Sequence, residues 1–184
     1  PFGYFLVRWK TGADVRGMGS GNIGATNVLR TTSRALGFAT LLLDIAKGFA
    51  AVWIAAALTG NSPAWMSAAA LAVMAGHAYP AFLKFKGGKA VACFIGAFLY
   101  LTPLPLLAVL IVFVIVVAAS KFISLGSLIA AGTFPLAVWL ILHPHPAVTL
   151  AALIAGAFII YRHKGNIARL RSGTENVLNL RRRK

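Results

Sequence analysis

Charged side chains are rare along this chain, and where they fall divides it. Three runs carry no Asp, Glu, Lys or Arg: Gly48 to Leu83, Ala90 to Ser120 and Phe122 to Tyr161, of 36, 31 and 40 residues. One bilayer crossing takes roughly 17–25 residues in a helix, so each run is too long for one span and too apolar for a loop. Each also carries turn-forming residues near its middle: Gly60-Asn61-Ser62-Pro63, Thr102-Pro103-Leu104-Pro105 and His143-Pro144-His145-Pro146. Proline lacks the amide donor and clashes with the preceding turn, so paired prolines read as helix stops, whereas a single one such as Pro135 is tolerated inside a membrane helix. Each run therefore reads as a helical hairpin.

The pattern predicts helices over about 35–59, 64–83, 90–102, 104–119, 124–142 and 147–162, preceded by an apolar segment ending near Val7. That segment reads as the tail of a helix whose start lies before Pro1, which makes seven. The pair around Pro103 is short, since about 13 residues span only about 20 Å of a roughly 30 Å hydrocarbon core. One tilted long helix is the alternative there, and it would put Lys89 and Lys121 on opposite sides. The fold class expected is an all-α polytopic membrane protein, with one integral-membrane domain over residues 1–184 and its site in short cytoplasmic helices and loops.

Composition agrees with this pattern. Apolar residues make up 59% of the chain and charged residues 11%, against roughly 45–50% and about 25% in soluble domains. Too little polar side chain remains to cover a globular surface in water, which excludes a soluble enzyme. The net charge of +15 would ordinarily raise nucleic acid as a partner, but here the basic residues must border lipid. No signal-peptide pattern is visible. The single Cys93 lies in an apolar run and reads as a buried small hydrophobe.

If each run crosses twice, the charged clusters between runs all face one compartment. That places 17 of the 18 cations on one side, Lys47 being the exception, and none in the three turns. The positive-inside rule makes that side the cytoplasm. The Arg181-Arg182-Arg183-Lys184 end adds attraction to anionic lipid.

This topology brings three polar segments to the cytoplasmic surface. In the first, Gly19, Ser20, Gly21, Asn22, Gly24, Thr26, Asn27 and Arg30 include a GxGxxG match. A dinucleotide fingerprint needs a preceding strand and a βαβ unit, so that reading is rejected. What remains is a glycine-rich segment able to converge amides before a helix start, with short donors and an arginine fork for phosphate oxygens. The second segment, Lys84-Phe85-Lys86-Gly87-Gly88-Lys89, is not a P-loop but combines glycines with lysines before a helix, as an anion site or a positive-inside anchor. In the third, His163, Asn166 and Arg169 fall at steps of three, fanning over one helix face, with Glu175 beyond. His163 is the only histidine in these clusters and has a titration range suited to proton transfer. Glu175 reads as a partner for a nearby Arg or Lys.

Asp44 and Lys47 lie three apart inside an apolar helix, as an ion pair or a support to the site. Ser124 and Ser127 open a helix beside Lys121, and His77 reads as a hydrogen-bonded structural histidine. His143 and His145 receive no role. Three acids spread over the chain give no carboxylate dyad and no ligand set for a metal-dependent phosphotransferase; there is no HExxH or Cys/His cluster, and no histidine is followed five residues later by Asp. The expectation is a cationic, donor-rich site without metal or cofactor, suited to phosphate anions and to charge developing in acyl or phosphoryl transfer.

GlySerGlyAsnIleGlyAlaThrAsn with Arg30, then LeuAspIleAlaLysGly, GlyHisAlaTyrPro, PheLysGlyGlyLysAlaValAla, SerLeuGlySer and HisLysGlyAsnIleAlaArgLeu with Gly173 and Glu175, together resemble the PlsY family of bacterial acyl-phosphate:glycerol-3-phosphate acyltransferases. The resemblance covers nearly the whole chain, with its motifs in the family's order. It implies a seven-helix inner-membrane enzyme that acylates the 1-position of sn-glycerol 3-phosphate from acyl phosphate, releasing phosphate and lysophosphatidic acid. By that resemblance, Ser20, Asn22, Gly24, Thr26, Asn27 and Arg30, with Gly19 and Gly21, grip phosphate and polarise the acyl phosphate. Gly87, Gly88 and Lys89 help hold glycerol 3-phosphate, and His163, Asn166 and Arg169 complete the centre, with Ser20, Arg30, His163 and Asn166 as its catalytic members. Glu175 orients the basic residues, and Ser124 and Ser127 line the site.

Direct attack by the glycerol hydroxyl on the acyl carbonyl, without an acyl-enzyme, fits a good leaving group; the proton goes to His163 or to a substrate phosphate. The chain is expected to act as a monomer, without nucleic acid. The competing reading is a membrane transporter for an organic phosphate, weakened by the lack of charge on the opposite face and of a two-fold repeat. A non-catalytic membrane scaffold is the third.

Overall fold

The computed structural model describes residues 1–178; the Arg181–Lys184 cluster lies outside them. The described chain is helical, without a strand, and clusters into two compact units, one over Pro1–Leu101 and one from Thr102 onward.

The first unit holds α1 (Phe2–Thr11), α2 (Ala25–Thr31), α3 (Arg34–Thr59), α4 (Pro63–Ala78) and α5 (Val91–Leu101). The expected stops are where the helices end. Ser33 caps α3 by accepting from the Leu36 amide, α3 closes on Gly60 in the left-handed region, and Pro63 opens α4 where its absent donor costs nothing. The apolar start of the chain runs on past Val7 to Thr11, where Gly12 takes the left-handed closing position. The expected 64–83 helix ends earlier, at Ala78, and a separate 3₁₀ turn covers Ala81–Leu83 after Pro80.

α3 is the hub of this unit and packs on α1, α2, α4 and α5. Its contact with α5 rests on two glycines placed reciprocally. A Cβ on Gly48 would overlap the Cys93 carbonyl, and a Cβ on Gly96 would overlap the Ile45 carbonyl. Small residues of this kind let helix backbones approach closely where lipid offers no hydrophobic drive for association. Cys93 is fully buried there, as its apolar setting predicts.

The second unit holds α6 (Pro103–Ser120), α7 (Ile123–Leu142), α8 (Pro146–Arg162) and α9 (Lys164–Arg171). The helix preceding Pro103 does end at Leu101, with the single non-helical residue Thr102 between α5 and α6. α7 packs on both α6 and α8 and continues through Pro135. A Cβ on Gly156 would crowd the Ala131 carbonyl at 2.5 Å, so α7 and α8 also meet over a small residue. α8 and α9 form a bent pair with an angle of 56°.

Large apolar side chains are exposed along the long helices, among them Leu42, Trp53 and Leu58 of α3, Ile111, Val114 and Ile115 of α6, and Leu136 and Trp139 of α7. In water this would be a severe liability; in a bilayer it is the lipid face. Among the described residues α3, α4 continued to Leu83, α6 and α7 are long and apolar enough to cross a membrane, and α8 with α9 passes as one bent span. The 11-residue α5 is shorter, at about 16 Å by helical rise.

Candidate active site

The first polar segment folds around one side chain. Asn27, on α2, is 2% exposed; its Nδ2 donates to the carbonyls of Met18 at 3.0 Å and Asn22 at 2.8 Å, and its Oδ1 accepts from the Ser20 amide at 3.0 Å. Asn22 Oδ1 accepts from the Gly24 amide at 2.8 Å, and the Gly21 amide donates to Met18. Gly19 and Gly21 both take positive φ, and a Cβ on Gly19 would crowd Asn27 Oδ1 at 2.5 Å, so the backbone demands glycine there. The amides of Ser20, Gly21 and Gly24 are thus spent inside the loop rather than converging in an open nest. Asn27, expected to grip phosphate, is committed to holding the loop, as is the Asn22 side-chain oxygen. The side chains facing outward are Ser20 and Arg30, both exposed, with Thr26 half-buried.

Below, Ile23 is buried in an apolar cluster with Val7, Val15, Val28 and Leu83. Asp14 and Arg16, which the spacing did not single out, brace this loop from the side. Arg16 bonds Asp14 through Nε and Nη2, the latter at 2.6 Å, stands over the Tyr4 ring at 5.1 Å, and reaches the Leu83 carbonyl at 3.5 Å. The guanidinium hydrogen bond holds the Asp14 carboxyl below its usual range and raises Arg16.

The second segment leads from the 3₁₀ turn into α5. Gly87 donates to the Ala78 carbonyl at 3.1 Å and Gly88 to the His77 carbonyl at 3.2 Å. A Cβ on Gly87 would overlap the His77 carbonyl, and one on Gly88 the His77 ring. These glycines therefore allow close approach to the end of α4, and their amides are engaged there. Lys84, Phe85 and Ala90 hold positive φ, which ordinary residues adopt only when the surroundings enforce it. Lys89, between Gly88 and Ala90, is half-buried. His77 itself is hydrogen-bonded and buried, next to the Asp44–Lys47 pair, in which Lys47 Nζ lies 2.8 Å from Asp44 Oδ1.

In the second unit His163 does not sit inside a helix with Asn166 and Arg169 but at the joint between α8 and α9. Its Nδ1 lies 2.8 Å from the Ile159 carbonyl. A carbonyl only accepts, so Nδ1 carries hydrogen, and in the neutral ring Nε2 is the acceptor. Past the joint, Glu175 accepts from Asn166 Nδ2 on one oxygen and from Arg169 Nε on the other, both at 2.9 Å. Asn166 and Arg169 thus do share a face, set by one carboxylate. The strap bearing Glu175 is itself pinned, with Thr174 donating to the Arg169 carbonyl and Leu178 to the Lys121 carbonyl at 2.8 Å. Lys121 closes α6 in the left-handed region, and Ser124 and Ser127 lie in the first turns of α7. Ser127 returns its hydroxyl to Ile123, while the buried Ser124 hydroxyl has no protein partner.

All three carboxylates of the chain are paired with a cation: Asp14 with Arg16, Asp44 with Lys47 and Glu175 with Arg169. None is placed as a solitary general base. The polar segments of the first unit carry cations and hydroxyls, and those of the second carry cations, hydroxyls and the His163 imidazole; groups of these kinds bind anions and stabilise developing negative charge.

Fold and site together define an all-helical, multi-pass integral membrane protein with donor-rich, cationic polar segments. The family model described as glycerol-3-phosphate acyltransferase matches residues 1–173. A glycerol-3-phosphate acyltransferase of Geobacter sulfurreducens is 47% identical over 96% of this chain and 89% of its own length, and one of Desulforamulus reducens is 42% identical over 95% and 86%. The crystal structure of PlsY (YgiH), an integral membrane glycerol 3-phosphate acyltransferase, in its glycerol 3-phosphate form superposes with a TM-score of 0.90 at 36% identity, covering 97% of this chain and 88% of that one. Its lysophosphatidic acid form gives 0.87 at 35% identity with the same coverage. The chain belongs to the PlsY family of glycerol-3-phosphate acyltransferases.

Proposed function

We propose that this acyltransferase takes its acyl group from acyl phosphate and transfers it to the 1-hydroxyl of sn-glycerol 3-phosphate, giving lysophosphatidic acid and phosphate for phospholipid synthesis. The observation that carries this reading is the pairing of every carboxylate with a cation. A site with no solitary carboxylate base suits a donor whose leaving group is already good and whose substrates are both anionic.

In this reading the hydroxyl oxygen attacks the acyl carbonyl carbon directly. The new ester C–O bond forms, the acyl–phosphate C–O bond breaks, and phosphate leaves with the electron pair. Arg30, Ser20 and Thr26 hold phosphate and the polarised carbonyl, Asn22 and Asn27 shape the loop that presents them, and Lys89 holds glycerol 3-phosphate on the Gly87-Gly88 turn. In the second unit Asn166 and Arg169 serve as donors fixed by Glu175, and Ser124, whose buried hydroxyl has no protein partner, and Ser127 serve as substrate-binding residues. The hydroxyl proton leaves to His163 Nε2 or to a substrate phosphate. Much of the rate then comes from positioning and charge stabilisation.

In this reading the segments face the cytoplasm from a bacterial inner membrane, which the cation asymmetry supports, and the protein works as a monomer without metal or cofactor. Direct attack is tested by incubating the protein with acyl phosphate alone and weighing the peptide bearing Ser20. An unchanged mass is expected; an acyl increment overturns direct attack. Phosphate flux through proteoliposomes without lysophosphatidic acid formation would establish a transporter instead.

A further inference from the structure

Three buried side chains of the first unit, Asp44, His77 and Cys93, each offer a ligand atom, and these atoms lie within 4.8 Å of one another. The cluster has the form of a cation site, and a cation from the chain itself already reaches it. Lys47 Nζ lies 2.8 Å from Asp44 Oδ1 and 3.2 Å from His77 Nδ1. His77 Nδ1 also lies 3.4 Å from Asp44 Oδ1, so it stands between an ammonium that only donates and a carboxylate that only accepts, and either tautomer keeps the ring tied to this pair. Ionisable groups within a membrane helix are costly and mark function by default. Here they hold a ring in one orientation.

The far side of that ring meets the second polar segment. Gly88 donates its amide to the His77 carbonyl, Gly87 donates to Ala78, and a Cβ on Gly88 would overlap His77 Nε2. An unbroken series of contacts thus runs from Asp44 through Lys47 and His77 to Gly88, the residue before Lys89. We infer that His77, keyed by Lys47 and Asp44, is a positioning residue for the Gly87-Gly88-Lys89 turn and so for glycerol 3-phosphate binding. This rests on the proposal above that Lys89 holds glycerol 3-phosphate.

The test is steady-state kinetics of the full chain in detergent, varying glycerol 3-phosphate and acyl phosphate separately. His77→Ala raises KM for glycerol 3-phosphate by about 10–100-fold, the scale on which supporting hydrogen bonds act elsewhere, while KM for acyl phosphate stays within about twofold. His77→Asn, whose amide oxygen can accept from Lys47, recovers part of the loss, and Asp44→Asn reproduces the defect in a variant of nearly unchanged volume. Gly88→Ala is impaired by its clash with the ring, and adding His77→Ala to it relieves the impairment. Lys89→Ala tests the underlying reading independently. If Lys89→Ala raises KM for glycerol 3-phosphate while His77→Ala and Asp44→Asn do not, the inference is wrong and the reading stands. If Lys89→Ala leaves that KM unmoved, the reading itself fails. Equal losses toward both substrates in His77→Ala and Asp44→Asn, with a matching fall in Tm, would reduce His77 to a general packing role.

Discussion

Glu175 accepts a hydrogen bond from Asn166 at 2.9 Å across nine residues of sequence, and its other oxygen receives Arg169. An ionised carboxylate is acceptor-only, which fixes the Asn166 amide with nitrogen toward Glu175. One nearly buried acid therefore orients two proposed donors. Replacing it by Ala removes this partner from both, and misplacement near reacting groups costs on the order of 100-fold in rate. Glu175→Ala is expected to lower kcat by about that factor, with Glu175→Gln intermediate because an amide oxygen still accepts one bond. Activity retained in Glu175→Ala would show that neither donor needs its partner.

Asn27 makes the same kind of claim for the first unit. Its amide hydrogens satisfy backbone carbonyls and its oxygen caps the Ser20 amide. Asn27→Asp keeps the shape but turns carboxylate oxygen toward those carbonyls. A loss of about 1–3 kcal/mol for buried groups left unsatisfied is expected in thermal unfolding in detergent, together with loss of activity. A stable, active Asn27→Asp would remove Asn27 from its place at the centre of the loop.

The reciprocal glycines make a contrast within one family of variants. Gly96→Ala sets a methyl against the Ile45 carbonyl and forces α3 and α5 apart, whereas a Cβ on Gly76 meets nothing within 4 Å. Gly96→Ala should fail to accumulate or unfold early, and Gly76→Ala should gain roughly 0.5–1 kcal/mol from helix propensity. Size-exclusion profiles and Tm in the same detergent compare them.

Asp14 predicts an acid dependence. Its carboxyl is lowered by Arg16, so the stabilisation is fully present above the unfolded value near 3.9 and is lost as pH falls through the still lower folded value. The wild type should exceed Asp14→Asn in Tm at neutral pH, and the gap should close below about pH 4. High salt should narrow it too, since the pair is partly exposed. A gap that persisted in acid would assign the effect to something other than this ion pair.

Most helix ends were legible in the sequence because prolines and glycines punctuate apolar runs. Gly60, Pro63 and Pro146 sit where a helix closes or opens, for reasons of backbone geometry that act locally. The break at Thr102 was legible on the same grounds. The site was legible as residue types and order, not as hydrogen bonding. Nothing in the spacing of Asn22 and Asn27 reveals that they consume the amides of Gly24 and Ser20. Nor does Gly87-Gly88 disclose that its demand for glycine comes from His77. Both depend on which distant groups tertiary packing brings to the backbone. The Asp14–Arg16 brace was not legible in the spacing because its meaning lies in its reach to Tyr4 and Leu83.

The identity of the acyl donor decides the reaction. Purified protein supplied with labelled sn-glycerol 3-phosphate and either acyl phosphate or acyl-CoA, with product resolved by chromatography, measures it directly. Lysophosphatidic acid forming with acyl phosphate, one phosphate released per product, and none forming with acyl-CoA is the predicted result. Product formed from acyl-CoA but not from acyl phosphate would overturn acyl phosphate as the donor.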